Sequence, residues 1–386
     1  MPSQQPRVLF LGSKEFPFGS NKGDDPITSG GIESYVDVLA PALAGKGIEV
    51  TVVTRRFRST PAKENVGGVK VERVHWLRGF FLRNPSFNLL SFSKALRVKC
   101  DLIHSHGIVA GFFGWVAARL RGKKIVVTPH GIASGQPQYS AVSGVFKLLE
   151  RFVYKRADAV VFLSEGEKSN FAAKKIVAKH PFIIGSGIDL ARFRRSRNAE
   201  AAERLKKQLG LQGKTVITFV GRLAAVKGLN YLLEAFAEIA GNDCALLIVG
   251  EGPERKALEA QAKELGLGGK ALFLGARDDT PAIYAASDVY VQPSLSEGMP
   301  MSVAEAMAAG CALLVTRIGL PVEEGIDALV VEPKNAGALA KALEKLCSDA
   351  GLRKKIAANA VKSSKKFSIE ETVKKHLELY KSLLKA

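Results

Sequence analysis

Short apolar runs alternate with amphipathic stretches along most of the chain. The runs at 123–128 and 158–164 are apolar without alternating polar positions, which is typical of strands buried on both faces of a parallel sheet. Stretches between such runs, for example 140–157, show the pattern of helices. This strand, helix, strand series predicts an α/β fold with a doubly wound sheet.

The alternation stops around 181–200, where Pro, Gly and a basic cluster interrupt it, and then starts again. We therefore predict two doubly wound, Rossmann-like domains, one over 1–185 and one over 186–366, followed by a helix over 367–386. Ligands of such folds bind at the carboxyl ends of the strands, so we expect the functional site in a cleft that the two domains face.

Composition narrows the class of protein. The chain is 47% hydrophobic and 24% charged, and no apolar run approaches the roughly 20 residues of a membrane span. The N-terminus lacks the pattern of a secretory signal, so we expect a cytoplasmic protein. The four cysteines stand apart, which favours neither a disulfide framework nor a CxxC metal or redox motif.

Positive charge is concentrated in the first half of the chain. Of a net charge of +19, most lies in the first 180 residues, which carry 27 Lys and Arg against 13 Asp and Glu. Such an excess predicts an anionic partner, with ordinary solubility as the alternative. Segment 75–99 mixes basic and aromatic residues, as a surface on an anionic bilayer does. The alternative is a pair of ordinary helices with aromatic residues in the core.

Residues 289–310 are predicted to form a strand, a loop and a helix, and two glutamates lie on either side of the start of that helix. Glu297 lies in the loop and Glu305 in the helix, which ends at Gly310. The helix N-terminus between them offers free N–H groups to a phosphate. The carboxylates suit hydroxyl groups instead, so we expect Glu305 to bind a ribose and Glu297 a sugar. The alternatives are a solvated loop charge and an exposed helix residue.

Arg222 and Lys227 follow the predicted strand TVITFVG and precede the next helix. Two cations at a strand end suit a diphosphate, because they offset the charge that develops on a leaving group. In the N-terminal half, Gly30 and Gly31 open the first helix, where backbone N–H groups can approach an anion closely. The sequence has neither GxGxxG nor GxxxxGK[ST], which disfavours nicotinamide or flavin enzymes and P-loop kinases.

His104 and His106 end one predicted strand, and His130 with Gly131 follows another. We expect all of them to face the cleft, where the imidazoles bond hydroxyls or handle protons, with His104, His106 and Gly131 on the acceptor side. The expected catalytic residues are His130, Arg222, Lys227 and Glu297. The alternative is a histidine whose ring nitrogens are satisfied inside the fold, and it carries most weight for His104. No cluster with metal-ligand spacing and no D-x-D triplet occurs, so we expect no metal.

In their order and spacing, these motifs resemble the GT-B-fold glycosyltransferases of family 4, which are retaining enzymes that use nucleotide-sugar donors. The resemblance covers nearly the whole chain. The residues that carry it are Gly30-Gly31-Ile32-Glu33, His104-Ser105-His106, His130-Gly131, Gly187-Ile188-Asp189, Gly221-Arg222, Lys227-Gly228, Gly250-Glu251-Gly252-Pro253 and the pair Glu297 and Glu305.

The resemblance implies a C-terminal helix that crosses back to the first domain, and a donor substrate, a UDP- or GDP-sugar, in place of a cofactor. It assigns the ribose to Glu305, the donor sugar to Glu297 and the diphosphate to Arg222 and Lys227, with Gly31 near the phosphates and His130 beside the transferred sugar. The nucleotide base of the donor is expected near the turns at Gly250 and Gly275. The complete set of expected donor-binding residues is Gly30, Gly31, Arg222, Lys227, Gly250, Gly252, Arg277, Glu297, Gly298, Met299, Pro300, Met301, Ser302 and Glu305.

Three functions are compatible with these features to different degrees. A retaining, metal-independent glycosyltransferase explains the two glutamates, and its acceptor is either a lipid-linked or membrane-surface glycan or a small soluble molecule. A basic nucleic-acid-binding protein explains the charge but not the glutamates. A sugar-nucleotide oxidoreductase needs a bound nicotinamide. We therefore expect no specific nucleic acid, and a cytoplasmic enzyme that is either free or peripheral at the inner face of the cell membrane.

Overall fold

The computed structural model describes residues 5–17, 19–20, 30–77, 82–135, 142–239, 241, 243–297 and 300–385. The chain divides into two compact units. Unit 1 comprises 1–187 and 369–386, and unit 2 comprises 188–368. These divisions lie two residues beyond the boundaries predicted from the sequence. The C-terminal helix belongs to unit 1, as the predicted fold class requires.

Unit 1 is built on a sheet with the strand order β3-β4-β2-β1-β5-β6-β7-β8, in which β3 pairs antiparallel and the other pairings are parallel. Its strands are β1 Arg7–Leu11, β2 Glu49–Arg55, β3 Lys63–Val66, β4 Val69–Val74, β5 Leu102–His106, β6 Lys124–Thr128, β7 Ala159–Phe162 and β8 Pro181–Ile183. Its helices are α1 Gly31–Ala44, α2 Arg83–Ala95, α3 Ile108–Arg121, α4 Ser143–Arg156, α5 Glu165–Ala173 and α14 Ile369–Lys385.

Unit 2 has a parallel sheet with the order β11-β10-β9-β12-β13-β14. Its strands are β9 Thr215–Val220, β10 Cys244–Val249, β11 Ala271–Gly275, β12 Val289–Gln292, β13 Ala312–Thr316 and β14 Ala328–Val331. Its helices are α6 Leu190–Phe193, α7 Ala199–Gln208, α8 Leu229–Ile239, α9 Arg255–Glu264, α10 Thr280–Ala286, α11 Met301–Ala309, α12 Ala336–Ser348 and α13 Ala350–Ser364. Both units are parallel-sheet α/β domains, so the predicted fold class is confirmed.

Alternate residues of strand β5 contact the helices on opposite faces of the sheet in unit 1. Successive strand residues point to opposite faces. Ile103 joins the core formed with α2, α3 and α4. His104 and His106 point to the other face, towards Tyr35 of α1 and Tyr380 of α14. A spacing of two residues therefore places both histidines of β5 on the α1 and α14 face.

Among the described residues, no helix is both long and apolar enough to span a bilayer. The aromatic residues of segment 75–99 mostly serve the core of unit 1, since Phe87 is buried and Trp76 and Phe92 pack against the same cluster. This favours the alternative of core aromatics for those rings. Residues 78–81 of that segment lie outside the described part of the chain.

Candidate functional site

Strand order brings the predicted phosphate-binding lysine and the first glutamate together in unit 2. Strands β9 and β12 are neighbours, and the loops after them carry Lys227 and Glu297. The Lys227 ammonium forms an ion pair with Glu297, which also accepts a 3.0 Å hydrogen bond from the Ser294 hydroxyl. The two charged side chains are 17% and 16% exposed. Glu297 is therefore held by a cation and is not a solvated loop charge.

Arg222 lies at the carboxyl end of β9 and is exposed. Within the described residues its guanidinium makes no hydrogen bond and no ion pair. A guanidinium carries five N–H donors in a fixed plane, which suits the oxygens of a phosphate. Arg222 thus has the properties expected of a ligand-binding cation, in contrast to Lys227, which already has a protein partner.

Glu305 lies in the second turn of α11 and is partly buried. Its Oε2 accepts a 2.8 Å hydrogen bond from the hydroxyl of Tyr284 in α10. Burial raises the pKa of Glu305, and the Tyr284 hydrogen bond and the charge of Arg192 act in the opposite direction. The alternative of an exposed helix residue does not describe Glu305, because a buried tyrosine fixes its carboxylate.

Two predicted donor-binding glycines are required by the packing of neighbouring loops. A Cβ on Gly250 would lie 2.0 Å from the Gly221 carbonyl oxygen, and one on Gly252 would lie 2.1 Å from the Leu223 carbonyl oxygen. Gly250 also has a φ of +134°, which other residues rarely adopt. The loops after β9 and β10 therefore touch through their backbones, and this contact explains both glycines without a ligand.

The start of α11 follows directly on the Glu297 loop. Pro300 is the N-cap, and its side chain makes no capping hydrogen bond. Met301 begins the helix, and Ser302 accepts a 2.8 Å hydrogen bond from the Tyr290 hydroxyl. Gly298 and Met299, which the sequence also assigns to the donor site, lie outside the described residues. The remaining donor-site candidate, Arg277, is bound in an ion pair with Asp279.

In unit 1, His104 is a structural histidine. It is fully buried, with 0% of its surface exposed. Its Nδ1 shares a 2.7 Å hydrogen bond with the Tyr380 hydroxyl, and its Nε2 shares one of 2.8 Å with the Thr128 hydroxyl. Both ring nitrogens are satisfied internally, so the structure supports the alternative that the sequence left open for this residue. His104 instead links β5 to the C-terminal helix α14.

His106 and His130 are joined by a hydrogen bond. His106 Nδ1 lies 3.1 Å from His130 Nε2, and the Tyr35 ring stands edge-on to His130. His106 Nε2 is buried without a hydrogen-bond partner in the described part of the chain. Burial lowers the pKa of both imidazoles, to about 3 for His130. Both rings are therefore neutral near pH 7, and each has one nitrogen that can donate.

The glycines at the start of α1 differ from those of unit 2. A Cβ on Gly31 would meet no atom within 4 Å, and Gly30 has only Glu33 nearby, at 3.8 Å. The Gly30 N–H donates to Glu33 Oε2 at 2.7 Å, while Glu33 Oε1 accepts from the Lys14 N–H at 3.1 Å. Among the described residues, no neighbour requires a glycine at either position, and none of them covers the backbone of Gly30 and Gly31 against a ligand.

Comparisons with known proteins decide the family. The family model for glycosyl transferases group 1 matches residues 201–363, and that for Glycosyltransferase Family 4 matches residues 29–192. The UDP-Gal:alpha-D-GlcNAc-diphosphoundecaprenol alpha-1,3-galactosyltransferase of Escherichia coli is 33% identical over 294 residues, which cover 71% of this chain and 76% of that protein. The chain belongs to the family 4 glycosyltransferases.

The similarity to other proteins covers almost the whole length of this glycosyltransferase. The D-inositol 3-phosphate glycosyltransferase of Corynebacterium urealyticum is 29% identical, with 92% of this chain and 91% of that protein covered. The structure of sucrose-phosphate synthase from Thermosynechococcus elongatus superimposes with a TM-score of 0.82 at 25% identity, covering 98% of this chain and 99% of that one. The fold of the glycosyltransferase is therefore the GT-B fold, as the resemblance implied.

The sequence did not identify the side chains that hold the predicted site residues in this glycosyltransferase. Tyr284 bonds Glu305, and a buried chain of hydrogen bonds runs from Tyr290 through Gln292 and Ser294 to Glu297. In unit 1, Gly131 donates its N–H to Glu167 at 2.7 Å. The strand VYVQPS was a sequence signal for Tyr290 and Gln292, since polar residues are unusual on a buried strand.

Proposed function

We propose that the protein is a retaining, metal-independent glycosyltransferase that moves a sugar from a nucleoside-diphosphate sugar to an acceptor hydroxyl. One observation carries this proposal: Lys227 and Glu297 are paired in the loops after two adjacent strands, and Glu297 lies just before the start of α11. The arrangement places a cation for phosphate and a carboxylate for hydroxyls side by side. The Escherichia coli relative is named for a UDP-sugar, which makes UDP-sugars the first donors to test.

Each group of the site has a part in the proposed reaction. Lys227 has three N–H donors, so its ammonium can keep Glu297 and still bind a phosphate oxygen. Together with Arg222 it stabilises the negative charge of the departing diphosphate, the task that a divalent ion performs in other transferases. Glu305 binds the ribose and Glu297 the donor sugar. The departing phosphate accepts the proton of the acceptor hydroxyl on the same face of the sugar, so the anomeric configuration is kept.

The configuration of the product tests the retaining mechanism. The protein is incubated with a UDP-α-sugar and acceptor candidates in EDTA, and the anomeric proton of the product is followed by NMR from the first minutes. The proposal predicts an α-linked product. A β-linked product would contradict retention, and product formation only after a divalent ion is added would contradict metal independence.

Replacement of Glu305 is expected to weaken donor binding. Glu305→Ala removes the hydrogen bonds of a charged acceptor to the ribose, which should cost about 1–3 kcal/mol of binding free energy, or about 5-fold to 150-fold in Kd. The measurement is calorimetric titration with the donor nucleotide. Glu344→Ala, a substitution of a glutamate in α12, serves as the control, and equal affinity of the two variants would rule out the ribose role.

We further propose that the acceptor is presented at an anionic membrane surface. Helices α2, α3 and α4 pack side by side on one face of unit 1. Their only acidic residue is Glu150, which is buried, whereas each of the three helices carries at least two Lys or Arg residues. Leu89, Leu120 and Leu148 are 58%, 68% and 68% exposed. Exposed aliphatic side chains among cations without exposed acids fit lipids of negative charge.

Vesicle binding tests this surface. The double substitution Lys147→Glu and Lys155→Glu in α4 is expected to reduce binding to phosphatidylglycerol vesicles by about tenfold or more, since each lysine near an anionic surface contributes about 1 kcal/mol. The control, Lys374→Glu with Lys381→Glu, makes the same charge change in exposed positions of α14. Equal losses in both variants would reveal a general charge effect, and binding to phosphatidylcholine alone would contradict the role of anionic lipid.

A further inference from the structure

The loop that follows β6, residues 129–135, has an unusual backbone at its second and third residues. His130 has a φ of +56° and Gly131 a φ of +97°. Left-handed backbone is common for glycine but not for histidine, because the Cβ crowds the carbonyl group. The surroundings must therefore impose the conformation of His130.

Glu167 of α5 is one group that holds this loop. Its Oε1 accepts a 2.7 Å hydrogen bond from the Gly131 N–H, and its Oε2 accepts one of 2.7 Å from the Leu163 N–H. The Glu167 N–H in turn donates to the N-cap hydroxyl of Ser164 at 3.0 Å. The carboxylate thus ties the residue after His130 to the end of strand β7, and it is only 3% exposed.

A second buried carboxylate holds the other end of the loop. Glu150 of α4 is fully buried, and it accepts a 2.8 Å hydrogen bond from the Ala133 N–H and one of 2.6 Å from the Ser134 hydroxyl. Neither Glu150 nor Glu167 makes an ion pair with a described residue. A buried carboxylate without a cation is unfavourable for stability, so these two glutamates point to a requirement other than stability.

The hydrogen bonds of Glu167 and Glu150 to this loop, together called the clamp, fix the direction of the His130 ring. His130 Nε2 is 3.1 Å from His106 Nδ1, and His130 Nδ1 makes no hydrogen bond to a described residue. The loop conformation therefore decides which ring nitrogen is committed to the protein and which is available to a ligand. A change of the backbone at Gly131 would rotate or withdraw that free nitrogen.

We propose that Glu167 is a positioning residue for the transfer reaction: it fixes the backbone at Gly131 and thereby the direction of the free nitrogen of His130. This inference rests on the proposed function and on the place beside the transferred sugar that the resemblance implies for His130. Glu167 itself does not touch the substrate and acts through the loop.

The isosteric variant Glu167→Gln tests this proposal because Glu167 faces two backbone N–H donors. A glutamine oxygen can accept from only one of them, and its amide group then faces the other donor. Glu150→Gln is the comparison, since the Ser134 hydroxyl can reverse and accept from the new amide. Glu165→Gln is the charge control, because this glutamate lies on the same helix with a side chain that is 70% exposed.

The expected kinetic result is a fall in kcat of at least about tenfold for E167Q with a donor KM within twofold of the parent value. We expect a clearly smaller loss for E150Q and no change for E165Q. In the H130A background, E167Q should lower kcat by less than twofold, because both substitutions remove the same interaction. A kcat of E167Q equal to that of E165Q, or multiplicative losses in the double variant, would overturn the proposal.

A readout without activity separates this proposal from the proposed function. The imidazole ¹H–¹³C NMR signals of His130 should shift in E167Q and stay unchanged in E165Q. Unchanged His130 signals in E167Q would overturn the positioning role. If the signals shift but H130A keeps its full kcat, the clamp is present and the role of His130 in the proposed reaction is wrong.

Discussion

Substitution of Lys227 by Met is expected to lower kcat about 100-fold to 1,000-fold, the range found when a preorganised donor to a developing negative charge is removed. Lys227 lies at the carboxyl end of β9 in an ion pair with Glu297, and both side chains are largely buried. Methionine keeps most of the aliphatic stem and removes the charge. The loss should fall mainly on kcat, because the charge of the diphosphate grows as the bond to the sugar breaks.

Two further variants separate the effect on the reaction from an effect on folding. K227M leaves the Glu297 carboxylate without its cation, which lowers stability by itself. The double variant K227M with Glu297→Gln removes that unpaired charge, so thermal stability should partly recover while activity should not. Lys207→Met, a substitution of an exposed lysine in α7, is the control for loss of a charge. Activity of K227M within threefold of the control would contradict the assigned role.

The second large effect is expected when the stability of unit 1 is measured against pH. Burial lowers the pKa of His104 and His106 well below 6.5, that of His376 to about 4 and that of His130 to about 3. A free histidine has a pKa of about 6.5, so below that pH the unfolded chain binds more protons than the folded one. The stability is therefore fully present above pH 6.5 and falls as the pH drops towards 4.

The size of this effect follows from the number of histidines involved. As the pH falls from the pKa of a histidine in the unfolded chain to its lower pKa in the folded protein, that histidine lowers the free energy of unfolding by about 1.4 kcal/mol per pH unit. Together, the four histidines should lower it by several kcal/mol between pH 7 and pH 5. Glu167 acts in the opposite direction. Burial raises its pKa, so the folded state takes up that proton first and regains some stability as the pH falls.

Tryptophan fluorescence measures this unfolding selectively, because both tryptophans of the chain, Trp76 and Trp115, belong to unit 1. Urea unfolding curves between pH 7 and pH 5 should shift steadily to lower denaturant. His376→Gln should reduce by one the number of protons taken up on unfolding, so its unfolding midpoint should shift less between pH 7 and pH 5 than that of the parent protein. Equal stability at pH 7 and pH 5 would show that the buried histidines do not resist protonation.

The fold could be predicted from the sequence because the hydrophobic patterns that produce it are local and are repeated along the chain. Apolar runs such as 158–164 identify buried parallel strands wherever they occur, and helical periodicity fills the intervals. The edge strand β3, Lys63–Val66, was not predicted, because KENV has no apolar run and pairs only along one edge. The candidate site residues were chosen for their positions after strands, since parallel strands have their carboxyl ends at one edge of the sheet.

The contacts of the site could not be predicted from the sequence. Lys227 and Glu297 are 70 residues apart, and their pairing depends on β9 lying beside β12, which the order of the chain does not show. Ser164 and Glu167 have the spacing of a helix capping box, so the bond from the Glu167 N–H to the Ser164 hydroxyl could have been predicted. The bonds of both Glu167 carboxylate oxygens, to the N–H groups of Gly131 and Leu163, could not. The glycines Gly250 and Gly252 were identified, but their close backbone contacts were not.

Calorimetric titration of the purified protein with UDP, GDP and ADP, each in EDTA, is the most direct test of the proposed donor site. We expect one of the three to bind without a metal ion, and we expect K227M and E305A each to weaken that binding while K207M does not. Binding of none of them, or binding only after a divalent ion is added, would contradict a donor site built from Arg222, Lys227 and Glu305.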